Sequence, residues 1–290
     1  MKLSIVLSSQ AARFEAVAFK GDFEANVTKI AGWGYDGVEL AIRDPKLVPG
    51  GADELLRVVT THGLEVPAIG TGQAWGEEGL SFTDPDPAVR AAAIERTISH
   101  IPFAARTGAA GGEPGRTVII IGLLRGIVKP GVDHAQAMDW LVGALRECCA
   151  EARSASPLLA GGIEGGVRIA LEPICRYETT LINNAAQGLD LLERVGAENM
   201  GLLLDTFHMN IEEPVIEESI RACGDRIFHF HVADSNRWYP GAGHLDFKSI
   251  LGALYATGYR GYVSGEFMPM PDADTSAQRS IAYLRQLYPS

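Results

Sequence analysis

The chain has 290 residues, 47% of them hydrophobic, close to the roughly 250 residues of one (β/α)8 barrel, and it calls for no second domain: residues 1–290 are read as one domain. Asp and Glu outnumber Lys and Arg by 36 to 25, a formal charge of −11 with no basic cluster to offset it, which argues against a nucleic-acid partner. No run of about 18 apolar residues occurs, and MKLSIVLSSQAARFE lacks the apolar stretch and cleavage site of a secretory signal, so a cytoplasmic protein with no membrane association is expected. Cys148, Cys149, Cys175 and Cys223 form no CxxC pair, and the adjacent two fall in a helical pattern, as reduced packing residues do.

Leu3 to Leu7 is an apolar run suited to a buried first strand, and Asp22 then caps a helix running to about Gly32. GVELAI from Gly37 is the second strand, with Glu39 inside it facing either the barrel mouth or a polar neighbour. Asp53 opens the helix DELLRVVTTHG, which Gly63 ends. EVPAIG is the third strand. Residues 71–87 then read as a long Gly-rich loop bearing Trp75, in the position of a substrate cover. Pro87 starts a helix to Gly108, with an interruption expected at Pro102. TVIIIG is the fourth strand, followed by a loop bearing Arg125, and Asp133 caps the next helix towards Ser154. SASPLLAGGIEGG reads as a loop at the bottom of the barrel. Strands five to eight are Val167 to Glu172, Gly201 to Asp205, Ile227 to His231 and Tyr262 to Glu266, with Asn183, Glu213 and Asp246 near the intervening helix starts. A helix from about Thr275 to Leu287 closes the ring.

The last four strands each end in a metal-ligating residue: Glu172, Asp205, His231 and Glu266, spaced by 33, 26 and 35 residues. Each interval holds about one strand, one helix and two loops, so the four fall at one height on successive strands of a parallel barrel. A single acid at a strand end is most often a cap or a solvated loop residue, and of His229 and His231, which share a strand face, one is expected simply to pack. Four in register weaken that reading. Three carboxylates and one imidazole favour one divalent ion, Mn2+ first, with Mg2+ or Co2+ as substitutes, over thiolate-seeking zinc. Such an ion leaves room for two adjacent substrate oxygens, polarises a carbonyl and stabilises an enediolate, while neighbouring carboxylates serve as bases.

LEPICRYE (171–178), LDTFHMNIEE (204–213), HFHVADSNR (229–237), GAGHLDF (241–247) and SGEF (264–267) resemble the ketose 3-epimerases, the D-tagatose and D-psicose 3-epimerase group of the xylose-isomerase-like sugar isomerase and epimerase superfamily. The likeness is specific over Ile169 to Phe267 and only general before it. It implies a TIM barrel with Glu172, Asp205, His231 and Glu266 as metal ligands and with Glu172 and Glu266 as the acid/base pair inverting C3 of a free ketose. It further assigns Glu178, His208 and Arg237 to the C1–C3 oxygens of the sugar, and it implies a homodimer or homotetramer. Two carboxylates on opposite faces suffice for such an epimerisation, one taking the proton and the other returning it.

The sequence departs from the family upstream. LSSQAARF offers only Phe14 where aromatic residues are usual, and GLLRGIV offers Arg125 where the family carries an acid and an aromatic over the distal sugar. Trp75 is expected either to supply a hydrophobic wall or to pack in the core. Arg125 is either a surface charge or, facing the pocket, a partner for a substrate carboxylate or phosphate. An aldose–ketose (hydroxypyruvate-type) isomerase, a sugar-acid lyase or decarboxylase, and a non-catalytic binding module are the alternatives. A barrel nuclease is disfavoured by the acidic charge and by too few ligands for a multi-metal centre.

Overall fold

The computed structural model describes residues 1–110, 117–155 and 167–287. Eight parallel strands form its centre: β1 (Lys2–Ser8), β2 (Gly37–Ala41), β3 (Ala68–Gly70), β4 (Val118–Ile121), β5 (Arg168–Leu171), β6 (Met200–Asp205), β7 (Ile227–Val232) and β8 (Tyr262–Gly265). Each pairs with the next, and β8 returns to β1 through Leu3–Val263 and Ser4–Ser264, closing a (β/α)8 barrel. Parallel neighbours need a crossover rather than a tight turn. The crossovers carry α1 (Phe23–Gly32), α2 (Gly51–Thr61), α3 (Gln73–Glu78), α4 (Pro87–Ala110), α5 (His134–Ser154), α6 (Ala185–Val195), α7 (Thr206–Glu212), α8 (Ile216–Cys223) and α9 (Phe247–Ala256), and α10 (Ala273–Leu287) follows β8.

Period-two alternation decides what faces where. In β1 and β2, Leu3, Ile5, Leu7, Val38 and Leu40 join the main core under the helices, leaving Ser4, Val6, Glu39 and Ala41 to the barrel interior. Ala68, Val118, Ile120, Ala170 and Leu203 form a separate apolar cluster from the inward positions of four successive strands. Between β6 and β7 the pairing slips at Leu202/Leu203, and beyond the slip Asp205 stands opposite His231. The four cysteines are free and buried. Among the described residues no helix is long and apolar enough to cross a membrane.

Several boundaries differ from expectation for local reasons. The span 71–87 is not all loop: α3 occupies its start and ends at Gly79, which takes a left-handed conformation. α2 begins at Gly51 rather than Asp53, because Gly50 and Gly51 both hold positive φ and turn the chain early. α4 runs through Pro102, which sits on its exposed side. Asn183 and Glu213 lie near the starts of α6 and α8, as expected; the cap of α6 is Asn184, the Asn183 amide donates to the Ile174 and Thr179 carbonyls, and Glu213 accepts from Ala185 N. Asp22, Asp133 and Asp246 do cap α1, α5 and α9. Most of the SASPLLAGGIEGG segment lies outside the described residues.

Candidate active site at the barrel mouth

The C-terminal ends of β5 to β8 deliver four side chains to one point. Glu172 follows β5, its N–H donating to Ile121 O. Asp205 ends β6 and caps α7: one carboxylate oxygen accepts from Phe207 N at 2.9 Å, which turns the other oxygen inward. His231 lies on β7, and Glu266 follows β8. One ligand atom from each of Glu172, Asp205, His231 and Glu266 lies within 4.8 Å of all the others.

Burial and mutual repulsion dominate the electrostatics of the cluster. Glu172 Oε1, Asp205 Oδ2 and His231 Nδ1 are buried with no hydrogen-bond partner, whereas buried polar atoms are almost always paired. Burial, followed by repulsion from Glu266 and Asp205, pushes the Glu172 carboxyl well above its usual range. Burial likewise raises Glu266 to about 7 against the pull of His231 and Arg237, and it raises Asp205. Burial would lower His231, but Glu39, Glu266 and Glu172 overcome it and lift the imidazole to about 10. Three inward acids and a lone pair on one imidazole nitrogen fit a divalent ion with oxygen-rich coordination, and no thiol competes in the set.

Around this cluster stand the residues assigned to sugar oxygens. His208, on α7, accepts from Cys175 N through Nδ1 and turns Nε2 towards Glu172 (3.7 Å) and Asp205 (3.9 Å). Burial and the nearby Arg237 charge hold its pKa well below the usual value, so the ring is neutral and Nε2–H is a donor. Arg237 donates to Glu178 at 2.7 Å and lies 3.5 Å from Glu266. Its guanidinium is flanked by the rings of Phe14 and Phe207, 5.0 and 4.7 Å from their centroids. The Arg237 backbone sits at φ +60, rare for a side-chain-bearing residue, with its N–H on Asp234 O and its carbonyl on Met268 N. Phe207, inside the DTFH motif, is a contributor that sequence reading passed over.

The cavity above the cluster is about 290 Å³ and is lined by Glu172, Glu178, His208, His231, Arg237 and Glu266 on one side, with Phe14, Val17, Trp75, Leu123 and Ile174 around the rest. That volume is at the lower end of the roughly 300–1,000 Å³ of ligand sites and suits one small molecule. Trp75, on α3, is part of the wall.

Arg125 is neither on the surface nor in contact with the cavity. Its side chain is fully buried, and its guanidinium donates to the main-chain carbonyls of Gly122 (3.0 Å), Leu181 (3.2 Å), Ile182 (3.0 Å) and Glu172. Burial lowers its pKa to about 10. Five fixed donors let one arginine satisfy carbonyls from the ends of two strands and a loop, so the expected substrate contact is replaced by a clamp on the backbone.

Glu39 meets both of the surroundings expected for it, the barrel mouth and polar neighbours. It points into the interior and meets both histidines of β7, accepting from His229 Nε2 at 2.7 Å and from His231 Nε2 at 3.0 Å.

Fold and site together define a (β/α)8 enzyme whose mouth gathers carboxylates and imidazoles. A family model described as xylose isomerase-like TIM barrel matches residues 27–287. The chain belongs to the xylose isomerase-like TIM barrel family. It is 31% identical over 282 residues to an L-ribulose 3-epimerase of Methylomonas sp. (strain DH-1), covering 94% of this chain and 90% of that protein. It is 30% identical over 248 residues to a D-psicose 3-epimerase of Ruminiclostridium cellulolyticum, covering 84% of this chain and 78% of that one. A crystal structure of D-psicose 3-epimerase with D-tagatose from Clostridium cellulolyticum H10 superposes with a TM-score of 0.79 at 24% identity over 99% of each chain, a likeness of fold.

Proposed function

We propose that the protein is a metal-dependent ketose 3-epimerase acting on a free sugar, with residues 1–290 as one catalytic domain. The observation that carries the reading is the convergence of Glu172, Asp205, His231 and Glu266, three of them with a buried atom lacking any partner. The names of the relatives matched over most of the chain support the same reaction. Glu172, Asp205, His231 and Glu266 would hold a divalent cation, Mn2+ by preference, which would supply Lewis-acid polarisation of the sugar carbonyl.

The remaining work falls to the chain's own groups. Glu172 and Glu266 reach the mouth from β5 and β8, three strands apart round the ring. One takes the C3 proton from one face of the sugar, and the other, protonated, returns a proton to the opposite face. Without the charge of a cation, burial raises both carboxyl groups, Glu266 to about 7 and Glu172 in the same direction. His208 Nε2–H and the Arg237 guanidinium donate to the oxygens on which charge develops. Glu178 orients Arg237 and accepts from a sugar hydroxyl. Phe14, Trp75 and Leu123 keep water from the far side of the ketose.

With Arg125 engaged by main-chain carbonyls, that residue gives no support to a carboxylate- or phosphate-bearing substrate or to a sugar-acid lyase; the cavity's outer arginine is Arg13. The test is solvent deuterium incorporation into D-fructose, D-tagatose and L-ribulose with added Mn2+. Label at C3 is the expected outcome. Label confined to C1 would establish an aldose–ketose isomerase, and none in any ketose would sink the proposal. Glu172→Gln and Glu266→Gln each abolish exchange at C3; full activity in either variant would refute the two-carboxylate scheme.

A further inference from the structure

Glu39 lies on β2, on the far side of the barrel from the strands that carry the four converging residues, and at 1% exposure it is a buried carboxylate. A carboxylate inside a barrel must be compensated, and among the described residues its hydrogen-bond partners are two histidines of one strand. His229 Nε2 donates to Oε2 at 2.7 Å, and His231 Nε2 lies 3.1 Å from Oε1 and 3.0 Å from Oε2. His229 also lines a second cavity at the opposite, N-terminal end of the barrel, together with Lys2, Glu65, Arg168 and Tyr262. It therefore stands between Glu39 and that cavity, while Glu39 and His231 line the upper one.

An ionised carboxylate only accepts hydrogen bonds. The proton in the Glu39–His231 contact therefore sits on His231 Nε2, and this contact also fixes the tilt of the ring. The other nitrogen, Nδ1, is left buried and unpartnered, 3.9 Å from Glu266 Oε2. We propose that Glu39 is a positioning residue for the cation site: it selects the Nε2–H tautomer of His231 and aims the Nδ1 lone pair at the ion, with His229 bracing the carboxylate from below. Resting on the reading of His231 as a metal ligand, the inference adds a residue 192 positions away in sequence that acts through His231 and is not one of the four converging groups. Outer partners of this kind change metal affinity by about 10- to 100-fold.

The test is titration calorimetry of Mn2+ into the metal-stripped protein, comparing wild type with Glu39→Gln and Glu39→Asp. Gln keeps the volume but offers an N–H as readily as an oxygen, so it no longer dictates the His231 tautomer. Its Mn2+ affinity is expected to fall by about 10- to 100-fold. Asp retains the charge on a shorter arm and recovers part of the loss. A role confined to folding would lower Tm without moving the affinity of the folded protein. Should the variants fail to fold, ring 15N shifts of the Mg2+-loaded wild type read the same point. His231 protonated at Nε2 and bare at Nδ1 supports the inference, and a proton on Nδ1 overturns it. Wild type that binds Mn2+ with Glu39→Gln binding equally well overturns Glu39's role alone, whereas wild type that binds no Mn2+ overturns the metal site and this inference together.

Discussion

Arg125 and the acid cluster show how far a side chain's role depends on what lies opposite it. Arg125→Met removes the side-chain donor from four buried carbonyls; Gly122 and Ile182 keep main-chain N–H partners in Arg125 and Ile174, while those of Leu181 and Glu172 are stranded. We expect the variant to lose about 3 kcal/mol of unfolding free energy, measured by urea denaturation. Arg125→Lys should recover only a minor part, because an ammonium group cannot span carbonyls that a planar fork reaches at once. Equal stability of the methionine variant would remove the clamp. At the cluster itself, Glu266 near 7 and His231 near 10 hold protons in the free protein at mildly acid pH, and burial moves Glu172 in the same direction. An incoming cation must displace those protons. Apparent Mn2+ affinity should therefore climb as pH is raised from about 5.5 to about 7.5, with a buffer-dependent heat of proton release. An affinity flat over that range in calorimetry would contradict the raised carboxyl groups.

The decisive elements are the strand ends and the loops that follow them. In LDTFH one aspartate both ends β6 and caps α7, so the same hydrogen bond that starts the helix aims the free carboxylate oxygen at the site. The loop after β7 is built round Asp234, fully buried, which accepts from Ser235, Leu245 and Gly241 N–H groups. Gly243 packs against this hub so closely that a Cβ would stand 2.2 Å from Asp234 Oδ1 and 2.5 Å from Ser235 Oγ. Gly243→Ala should cost about 1–3 kcal/mol of stability and shift Arg237, raising KM for the ketose. Mn2+ affinity should hold, since none of the four converging residues belongs to the loop. A KM left at the wild-type value would show that Arg237 is positioned independently of this turn.

For the whole molecule, the closed ring decides what meets. On the proposed reading, a cation held by Glu172, Asp205, His231 and Glu266 binds the folded state alone and so stabilises it. At about 100 times its Kd, Mn2+ should add roughly 2.7 kcal/mol, a Tm rise of about 5–10 °C that EDTA reverses. Scanning calorimetry showing no shift would speak against the cation. Sequence reading reached the eight strands, the crossover helices and the four converging residues, because alternation and spacing report which side of a strand a residue faces and at what height. It placed α3 in a loop, since six residues with a glycine among them carry too little period to be seen. By itself the sequence determined the barrel, its polar mouth and the type of chemistry there. Only the tertiary structure decided that Arg125 turns away to main-chain carbonyls and that Glu39 meets His231 across the interior. A linear pattern fixes direction and register, while contact between residues nearly two hundred positions apart exists only once the ring has closed.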